Sequence, residues 1–450
     1  MDRRSALLAG LLSTIALLPW PVNAAAKVQA PPVERRVLEN GLVLIVVPRP
    51  GLPLVKAIAL VGAGSLVEDS GQAGIAALTA RLLLRGTASR SGEQMSQAIE
   101  AVGGSLEAEA ERDAAAVTLS VLTKDLRLGL TLLADSLQSP TFPEAELERE
   151  RRNLLASLAQ RVEEPGFQAQ DLFVATLYGP AHPYGRPVVG TEAELRQLRR
   201  EDIIGFHRQQ YGPNRTILVL AGDISLATAE PIVQEIFGNW VPVIGPPWHS
   251  PSVSVMSRGE VRTLDRKLAQ TSVILGQRGI ARNDPDYYAV TVLNALLGGS
   301  GLTSRLSLNL REARGLVYSA SSSLAAGRLA GPFQVSLQTK NESAGEAVRE
   351  VVQEIRRLRT DPVPEDELRR VKNFLTGNLP LQLDTTGKLA SFLARAEYYG
   401  LGLDLATRYP GLIAVVTPED ILRVAQRLLD PQFLVIAVVG DVAAGRLTLP

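Results

Sequence analysis

The sequence predicts an α+β fold in two similar domains, each a mainly antiparallel sheet with helices packed on one face. Three observations support this prediction. The chain has 450 residues, which is more than one hydrophobic core usually organises. Short blocks of sequence recur in the two halves in the same order. Strand-like and helix-like segments do not alternate strictly, so a βαβ fold with a parallel sheet is disfavoured.

The repeat is clearest where each half of the chain ends. Residues 200–224 contain REDII and then GPNRTILVLAGDI, and residues 418–442 contain PEDIL and then DPQFLVIAVVGDV. Three matched pairs are each 218 residues apart: Glu201 and Glu419, Pro213 and Pro431, Asp223 and Asp441. Further upstream, PEAEL at 143–147 matches PEDEL at 364–368, and SVLTK at 120–124 matches SLQTK at 336–340. We therefore expect one domain at 33–239, a proline-rich linker at 240–256 and a second domain at 257–450.

The patterning of apolar residues predicts individual elements within this frame. Asn40 and Gly41 form a turn dipeptide directly before the first strand. Continuous or alternating apolar runs predict strands at 42–47 and 116–122. Helical spacing predicts helices at 91–102 and 126–137, a longer one from 144 past 158, and its counterpart from 365 past 375.

The first 24 residues have the pattern of a secretory signal peptide. A basic start at residues 2–4 precedes an apolar stretch at 6–18, and Val22-Asn23-Ala24 fits a cleavage site. An uncleaved anchor is the alternative, but the apolar stretch is short for a membrane span. The adjacent Arg3 and Arg4 leave the general secretory and the twin-arginine routes both open. Either route predicts a periplasmic or secreted chain, with no integral membrane segment after signal removal.

Composition excludes several classes of function. Basic and acidic residues balance at 47 each, so the charge does not favour nucleic acid as a partner. The absence of cysteine excludes disulfides, thiolate metal sites and a cysteine nucleophile. Only three histidines are present, namely His182, His207 and His249, which leaves little for a mechanism that needs several imidazoles.

Two segments that could carry chemistry have simpler interpretations. The glycine-rich stretch at 298–301 follows an apolar helix and lacks the ending of a phosphate-binding loop, so we interpret it as a helix stop and a turn. The alternating glutamates of the long helix are Glu144, Glu146, Glu148 and Glu150. Arginines lie among them, and residues two apart point to different helix faces, so this run predicts a solvated surface.

Three blocks of sequence resemble one known family. They are HPYGRPVVGTE at 182–192, YGPN followed by AGD at 211–223, and LREARGLVYS at 310–319. In this order and at these distances they resemble the insulinase/pitrilysin family of zinc peptidases, also called the processing-peptidase family. The resemblance extends from about Val33 to about Val442. It implies that the two domains form a clamshell.

The resemblance also shows what this chain lacks. Active members of the family carry H-x-x-E-H on a helix, and a later glutamate completes the zinc ligands. The stretch GIAALTARLLLRGT at 74–87 fits that frame, but its three functional positions hold Ala77, Ala80 and Arg81. The position of the later glutamate holds Ser157. Alanine and arginine cannot bind zinc, so we expect no catalytic residue and no metal in this chain. A separate zinc site is disfavoured because the three histidines are scattered.

The second domain retains a different part of the family's site. The resemblance implies that Arg311 and Tyr318, seven residues apart, bind the backbone carbonyl of a peptide substrate. A guanidinium and a phenol are both donors to such an oxygen. The alternative is structural, with Arg311 paired to the adjacent Glu312 and Tyr318 packed in a strand.

These features predict a non-catalytic, substrate-binding subunit of an extracytoplasmic heteromeric zinc peptidase. A homologous partner with an intact motif would hold the zinc, this chain would supply Arg311 and Tyr318, and activity would arise only in the complex. One alternative is a structural or peptide-holding protein of the same family with no role in proteolysis. A third hypothesis, an autonomous zinc peptidase, predicts zinc in the purified chain.

Overall fold

The computed structural model describes residues 32–244 and 258–444. The predicted signal peptide at 1–24 and most of the predicted linker at 240–256 lie outside these residues. None of the described helices combines the length and the apolar character needed to cross a membrane.

The first half of the chain forms a six-stranded sheet. Its strands are β1 (Glu34–Val37), β2 (Val43–Pro48), β3 (Leu54–Val61), β4 (Ser105–Ala110), β5 (Ala115–Leu122) and β6 (Thr216–Gly222). They lie in the order β1-β2-β6-β3-β5-β4, and only β2 and β6 are parallel neighbours. The strands predicted at 42–47 and 116–122 are confirmed as β2 and β5. At the predicted turn, Gly41 has a φ of +87°, which favours glycine.

The second half forms a five-stranded sheet with matching topology. Its strands are β7 (Glu260–Asp265), β8 (Gln270–Arg278), β9 (Val317–Leu324), β10 (Pro332–Lys340) and β11 (Val435–Gly440), in the order β7-β11-β8-β10-β9. This order corresponds strand by strand to β2-β6-β3-β5-β4. The directions also correspond, since β7 and β11 are the parallel pair and the other neighbours are antiparallel.

Fourteen α-helices accompany the two sheets among the described residues. In the first half they are α1 (Ile75–Leu82), α2 (Gly92–Glu100), α3 (Leu126–Gln138), α4 (Glu144–Glu163), α5 (Pro165–Tyr178), α6 (Glu192–Gln197), α7 (Arg200–Gln210) and α8 (Leu226–Phe237). In the second they are α9 (Tyr287–Asn294), α10 (Ala344–Thr360), α11 (Glu365–Gln382), α12 (Thr386–Tyr398), α13 (Leu405–Ala414) and α14 (Pro418–Leu428). The four helices predicted from periodicity are confirmed as α2, α3, α4 and α11, and the fold is α+β as predicted.

Each half also covers the sheet of the other half. Helix α5 of the first half packs on β8 and β11, where Phe173 and Leu177 contact an apolar surface that includes Val435 and Val439. Helix α12 of the second half packs in the same way on β3 and β6. The central strands are therefore buried on both faces, which explains their continuous apolar runs. The sequence predicts the helix layer that each half packs on its own sheet. The exchanged layer, formed by α5 and α12 on the sheet of the other half, is an additional finding.

Asp113 joins the two halves at a buried junction. It lies between β4 and β5, and its carboxylate accepts hydrogen bonds from the Tyr184 hydroxyl at 2.6 Å, the Tyr399 hydroxyl at 2.8 Å and the Arg328 backbone N–H at 2.6 Å. Its backbone carbonyl accepts a further one from the Tyr398 hydroxyl at 2.7 Å. Burial and the nearby Asp113 raise the pKa of Tyr184 and Tyr399, so both phenols stay protonated and donate.

We expect Asp113→Ala to destabilise the protein, because it leaves the hydroxyls of the buried Tyr184 and the partly buried Tyr399, and the Arg328 backbone N–H, without their acceptor. The free energy of unfolding should fall by roughly 3 kcal/mol in urea denaturation. Asp135→Ala, which removes the partner of the partly exposed Arg90, should cost less than about 1 kcal/mol. Equal effects of the two substitutions would contradict the importance of the junction.

His207 is a second buried polar group with a pH-dependent consequence. Its Nε2 lies 2.9 Å from the backbone oxygen of Leu137, and its ring stacks on Tyr211. Burial lowers the pKa of His207 to about 4 from an ordinary value of 6.5. Between these two pH values the unfolded chain binds a proton that the folded chain does not, so folding is opposed as the pH falls.

The free energy of unfolding should therefore decrease as the pH falls from 6.5 to 4, with up to about 3 kcal/mol of that decrease due to His207. His207→Gln should show a smaller decrease, because glutamine does not titrate. Urea denaturation of both proteins at several pH values between 4 and 7 measures the difference. Parallel curves would show that His207 does not cause it.

Candidate functional site

The helix that would carry a zinc motif has no metal-binding side chain at the predicted positions. Ala77 and Ala80 are buried on α1, and Ser157 is exposed on α4, which packs against α1. Arg81 places a guanidinium at the remaining position, where a positive charge opposes a metal ion. No group of three or more histidine, aspartate or glutamate side chains suited to a metal occurs within 32–244 and 258–444. The residues present therefore do not fit a zinc ion.

Glu150 corrects the prediction that the alternating glutamates form a solvated surface. Its side chain is only 2% exposed. The Arg85 Nε donates to its Oε1 at 2.9 Å, and an Arg81 Nη lies 3.7 Å from its Oε2. Helix α4 packs on α1 along this face, which buries the carboxyl group and requires a cation beside it. Glu150 lies seven residues, or two helical turns, before Ser157, so both residues lie on the same side of α4. This spacing was the signal in the sequence that Glu150 faces α1.

The start of α1 is fixed by Glu68. Its Oε1 accepts hydrogen bonds from the backbone N–H groups of Gly74 at 3.0 Å and Ala76 at 3.1 Å. Burial raises the pKa of Glu68 to about 8, although these bonds and Arg186 lower it. Gly74 has a φ of +94°, and a Cβ there would lie 2.7 Å from the backbone oxygen of Val189. This explains why the lead-in to the helix carries glycine.

The histidines have structural contacts. His182 Nδ1 accepts a hydrogen bond from the Tyr184 backbone N–H at 3.0 Å, and its ring stacks on Tyr178. Burial, together with nearby arginines, lowers the pKa of His182 to about 4. His207 packs against Leu137 and Tyr211 as described above, and His249 lies outside the described residues.

The structure brings Arg311 and Tyr318 together at the edge of the second sheet. Arg311 lies in a π-helical segment, Ser307–Ala313, and Tyr318 lies in β9. The Cζ of Arg311 is 5.6 Å from the centre of the Tyr318 ring, which is within the range of a cation–π contact. The Tyr318 side chain is 83% exposed. The alternative in which Tyr318 packs in the strand is therefore not observed.

Local irregularities of the backbone aim both side chains. Val317 pairs with Thr339 and Ser319 pairs with Gln338, so Tyr318 lies in a β-bulge with no partner of its own on β10. Bulges redirect side chains and are frequent beside active sites, as are π-helical turns. A second π-helical segment, Ala295–Gly299, continues α9 into the glycine-rich stretch at 298–301 and ends there, in agreement with the predicted helix stop and turn.

The polar residues around Arg311 are anchored to acidic side chains, and Arg311 is not. Arg305 forms two hydrogen bonds with Glu367 at 2.8 and 2.7 Å. Arg314 pairs with Glu350 at 3.1 Å, and Asn309 bonds Glu350 and Glu354. Among the described residues the Arg311 side chain has no hydrogen bond or ion pair, and none with Glu312. Its donors are therefore available to a ligand, beside the hydroxyl of Tyr318.

We expect Arg85→Met to lower the free energy of unfolding by about 1–3 kcal/mol, because the buried Glu150 would lose its hydrogen-bonded cation. Arg149→Met is the control, since the more exposed Arg149 pairs with Glu146 at 2.6 Å and lies 3.9 Å from the Glu150 carboxylate, too far for a hydrogen bond. It should change stability by less than about 0.5 kcal/mol. Urea denaturation compares the two variants, and an equal loss in both would show that Glu150 does not depend on Arg85.

Comparisons with known proteins show the family to which the chain belongs. The family model described as insulinase (peptidase family M16) matches residues 51–192, and the model described as peptidase M16 inactive domain matches residues 197–375. A protein named uncharacterized zinc protease from Mycobacterium leprae is 31% identical over 426 residues, which cover 92% of this chain and 93% of that protein. One of the same description from Streptomyces coelicolor is 30% identical over 92% of both chains.

Solved structures show the same fold. A crystal structure of a peptidase M16 inactive domain from Pseudomonas fluorescens has a TM-score of 0.83 at 26% identity, covering 91% of this chain and 98% of its own. A protease from Helicobacter pylori has a TM-score of 0.84 at 21% identity, covering 91% and 100%. With two domains of this type and alanine, alanine, arginine and serine at the motif positions, the chain belongs to the insulinase (M16) family as a member that lacks the zinc ligands.

Proposed function

We propose that this chain is the substrate-binding, non-catalytic subunit of a heteromeric zinc peptidase. It pairs with a homologous subunit that carries an intact zinc motif, and it presents Arg311 and Tyr318 to the peptide held there. The observation that carries the proposal is the contrast between the two domains. The first has no zinc ligand at the four motif positions, whereas the second presents an exposed Tyr318 beside an Arg311 that has no other side-chain partner within 32–244 and 258–444.

The chemistry of the pair suits a developing negative charge on a carbonyl oxygen. The Arg311 guanidinium is permanently charged, and the Tyr318 hydroxyl is a neutral donor. Donors of this kind stabilise the tetrahedral intermediate of amide hydrolysis more than the ground state, and so they raise the rate. The partner's metal site supplies the hydrolytic water. The bidentate Arg305–Glu367 pair holds the π-helical segment in place, so Arg311 is positioned before the peptide binds.

The proposed setting is the periplasm or the cell exterior. Residues 1–24 supply the export signal in this proposal, and the absence of cysteine removes any dependence on the redox state of that compartment. Peptides enclosed by a clamshell are the proposed substrates.

The test is to reconstitute the peptidase from this chain and a homologous subunit that carries an intact zinc motif. An internally quenched peptide reports cleavage, and the mixture should be active although neither chain is active alone. Arg311→Ala and Tyr318→Phe should each lower kcat/KM by roughly 100-fold, as expected for losing a donor to the oxyanion. Size-exclusion chromatography should show that both variants still bind the partner.

Arg370→Ala is the control for the loss of an arginine in the same domain. Arg370 is exposed on α11, where it pairs with Asp366, and its removal should leave kcat/KM unchanged. An inactive mixture, or full activity in the Arg311 and Tyr318 variants, would overturn the proposal. Stable assembly of an inactive complex would then favour the structural alternative.

A further inference from the structure

The π-helical turn that carries Arg311 is closed by a backbone bond around it. In the π-helical pattern an N–H donates to the carbonyl oxygen five residues earlier, and here the Arg314 N–H donates to the Asn309 oxygen at 3.2 Å. Arg311 lies between these two residues. Since π-helical turns are rare, this one requires contacts that favour it over an α-helical turn.

The Asn309 side chain supplies such contacts and ties the turn to α10. Its Nδ2 donates to the Glu354 carboxyl group at 2.8 Å and to the Glu350 carboxyl group at 3.1 Å. Its Oδ1 accepts a hydrogen bond from the Arg314 Nε at 3.0 Å. Arg314 completes a ring of contacts, since its Nη2 lies 3.1 Å from Glu350. The residues on both sides of Arg311 are therefore fixed to each other and to α10.

The surroundings of this side chain suit asparagine. The Glu354 side chain is only 5% exposed and the Glu350 side chain 16% exposed, so both carboxyl groups need donors from the protein. A neutral amide offers two N–H donors to them and an oxygen acceptor to Arg314. Aspartate has the same shape but no N–H donor, and it would place a third carboxyl group beside the other two.

Two other anchors hold the chain near Arg311 without setting its direction. The Arg305–Glu367 pair joins the residues before the π-helical segment to α11, and Leu310 is buried in the core. The Arg311 side chain itself has no hydrogen bond or ion pair with a described residue. Its direction therefore follows from the backbone of the turn, and Asn309 is the polar side chain that holds this backbone from within the turn.

We propose that Asn309 is a positioning residue for Arg311. It keeps the turn in its π-helical form, which places the guanidinium beside Tyr318, and it contacts neither the peptide nor the partner's metal site. The effect on catalysis rests on the proposed function, whereas the effect on geometry concerns this chain alone.

The kinetic test uses the reconstituted peptidase and the quenched peptide. Asn309→Asp should lower kcat about 10-fold and leave KM within about twofold, because a misplaced donor weakens the transition state more than it weakens peptide binding. In the Arg311→Ala background the same substitution should cause no further loss, since no guanidinium is left to misplace. Equal losses in the two backgrounds, or full activity of Asn309→Asp, would overturn the inference.

A rescue variant and a control variant separate positioning from a general effect of the substitution. Asn309→Asp combined with Glu354→Gln exchanges the amide and the carboxyl group, which restores a donor and an acceptor at this contact, so kcat should return to within about threefold of its original value. Asn373→Asp makes the same change at an exposed residue of α11 and should leave kcat unchanged. A double variant as impaired as Asn309→Asp would count against the proposal.

Crystal structures of this chain alone test the geometry whether or not the complex is active. The Arg311 Cζ lies 5.6 Å from the centre of the Tyr318 ring. In Asn309→Asp this distance should exceed about 6 Å, the limit of a cation–π contact, and the double variant should restore it. An unmoved Arg311 in Asn309→Asp would overturn the inference. A displaced Arg311, together with an inactive mixture of the unmodified subunits, would uphold it and overturn only the proposed function.

Discussion

The exchange of α5 and α12 between the halves is the constraint on which the rest of the structure depends. Each sheet has two apolar faces, and each half covers only one face of its own sheet with its own helices. Phe173 of α5 and Leu393 of α12 are almost completely buried against the opposite sheet. Removing either half would expose the second face of the other sheet to water. The second domain, which carries Arg311 and Tyr318, therefore depends on the first domain to bury one face of its sheet.

This dependence explains why the first domain keeps its architecture without the zinc ligands. Helix α1 retains the Glu68 cap, the left-handed Gly74 and its packing on α4. The difference from a zinc-binding member of the family is the charge balance beside α1. Without a metal ion, the buried Glu150 still needs a cation, and the guanidinium groups of Arg85 and Arg81 provide one. The substitution of arginine in the motif is thus part of a stable arrangement.

Much of the fold could be predicted from the sequence, because helical and strand periodicity report local burial. The exchanged layer could not, since an apolar helix face such as that of α5 does not say which sheet it covers. Glu150 was misassigned because charges alternating along a helix normally indicate solvent, and burial by α1 depends on tertiary packing. Arg311 and Tyr318 were identified through the resemblance of the sequence to the insulinase family. The β-bulge at Tyr318 depends on the register between β9 and β10, and the π-helical turn that carries Arg311 packs on β9. No local pattern in the sequence encodes either contact.

The most direct test of the account is a structure of the complex between this chain and a zinc-motif partner with an uncleaved peptide bound. The measured quantity is the distance from the Arg311 guanidinium and the Tyr318 hydroxyl to the carbonyl oxygen of the scissile bond. The account predicts that both donors lie about 3 Å from that oxygen, on the side opposite the partner's metal site. A complex in which both side chains face solvent, or contact the partner away from its metal site, would contradict it.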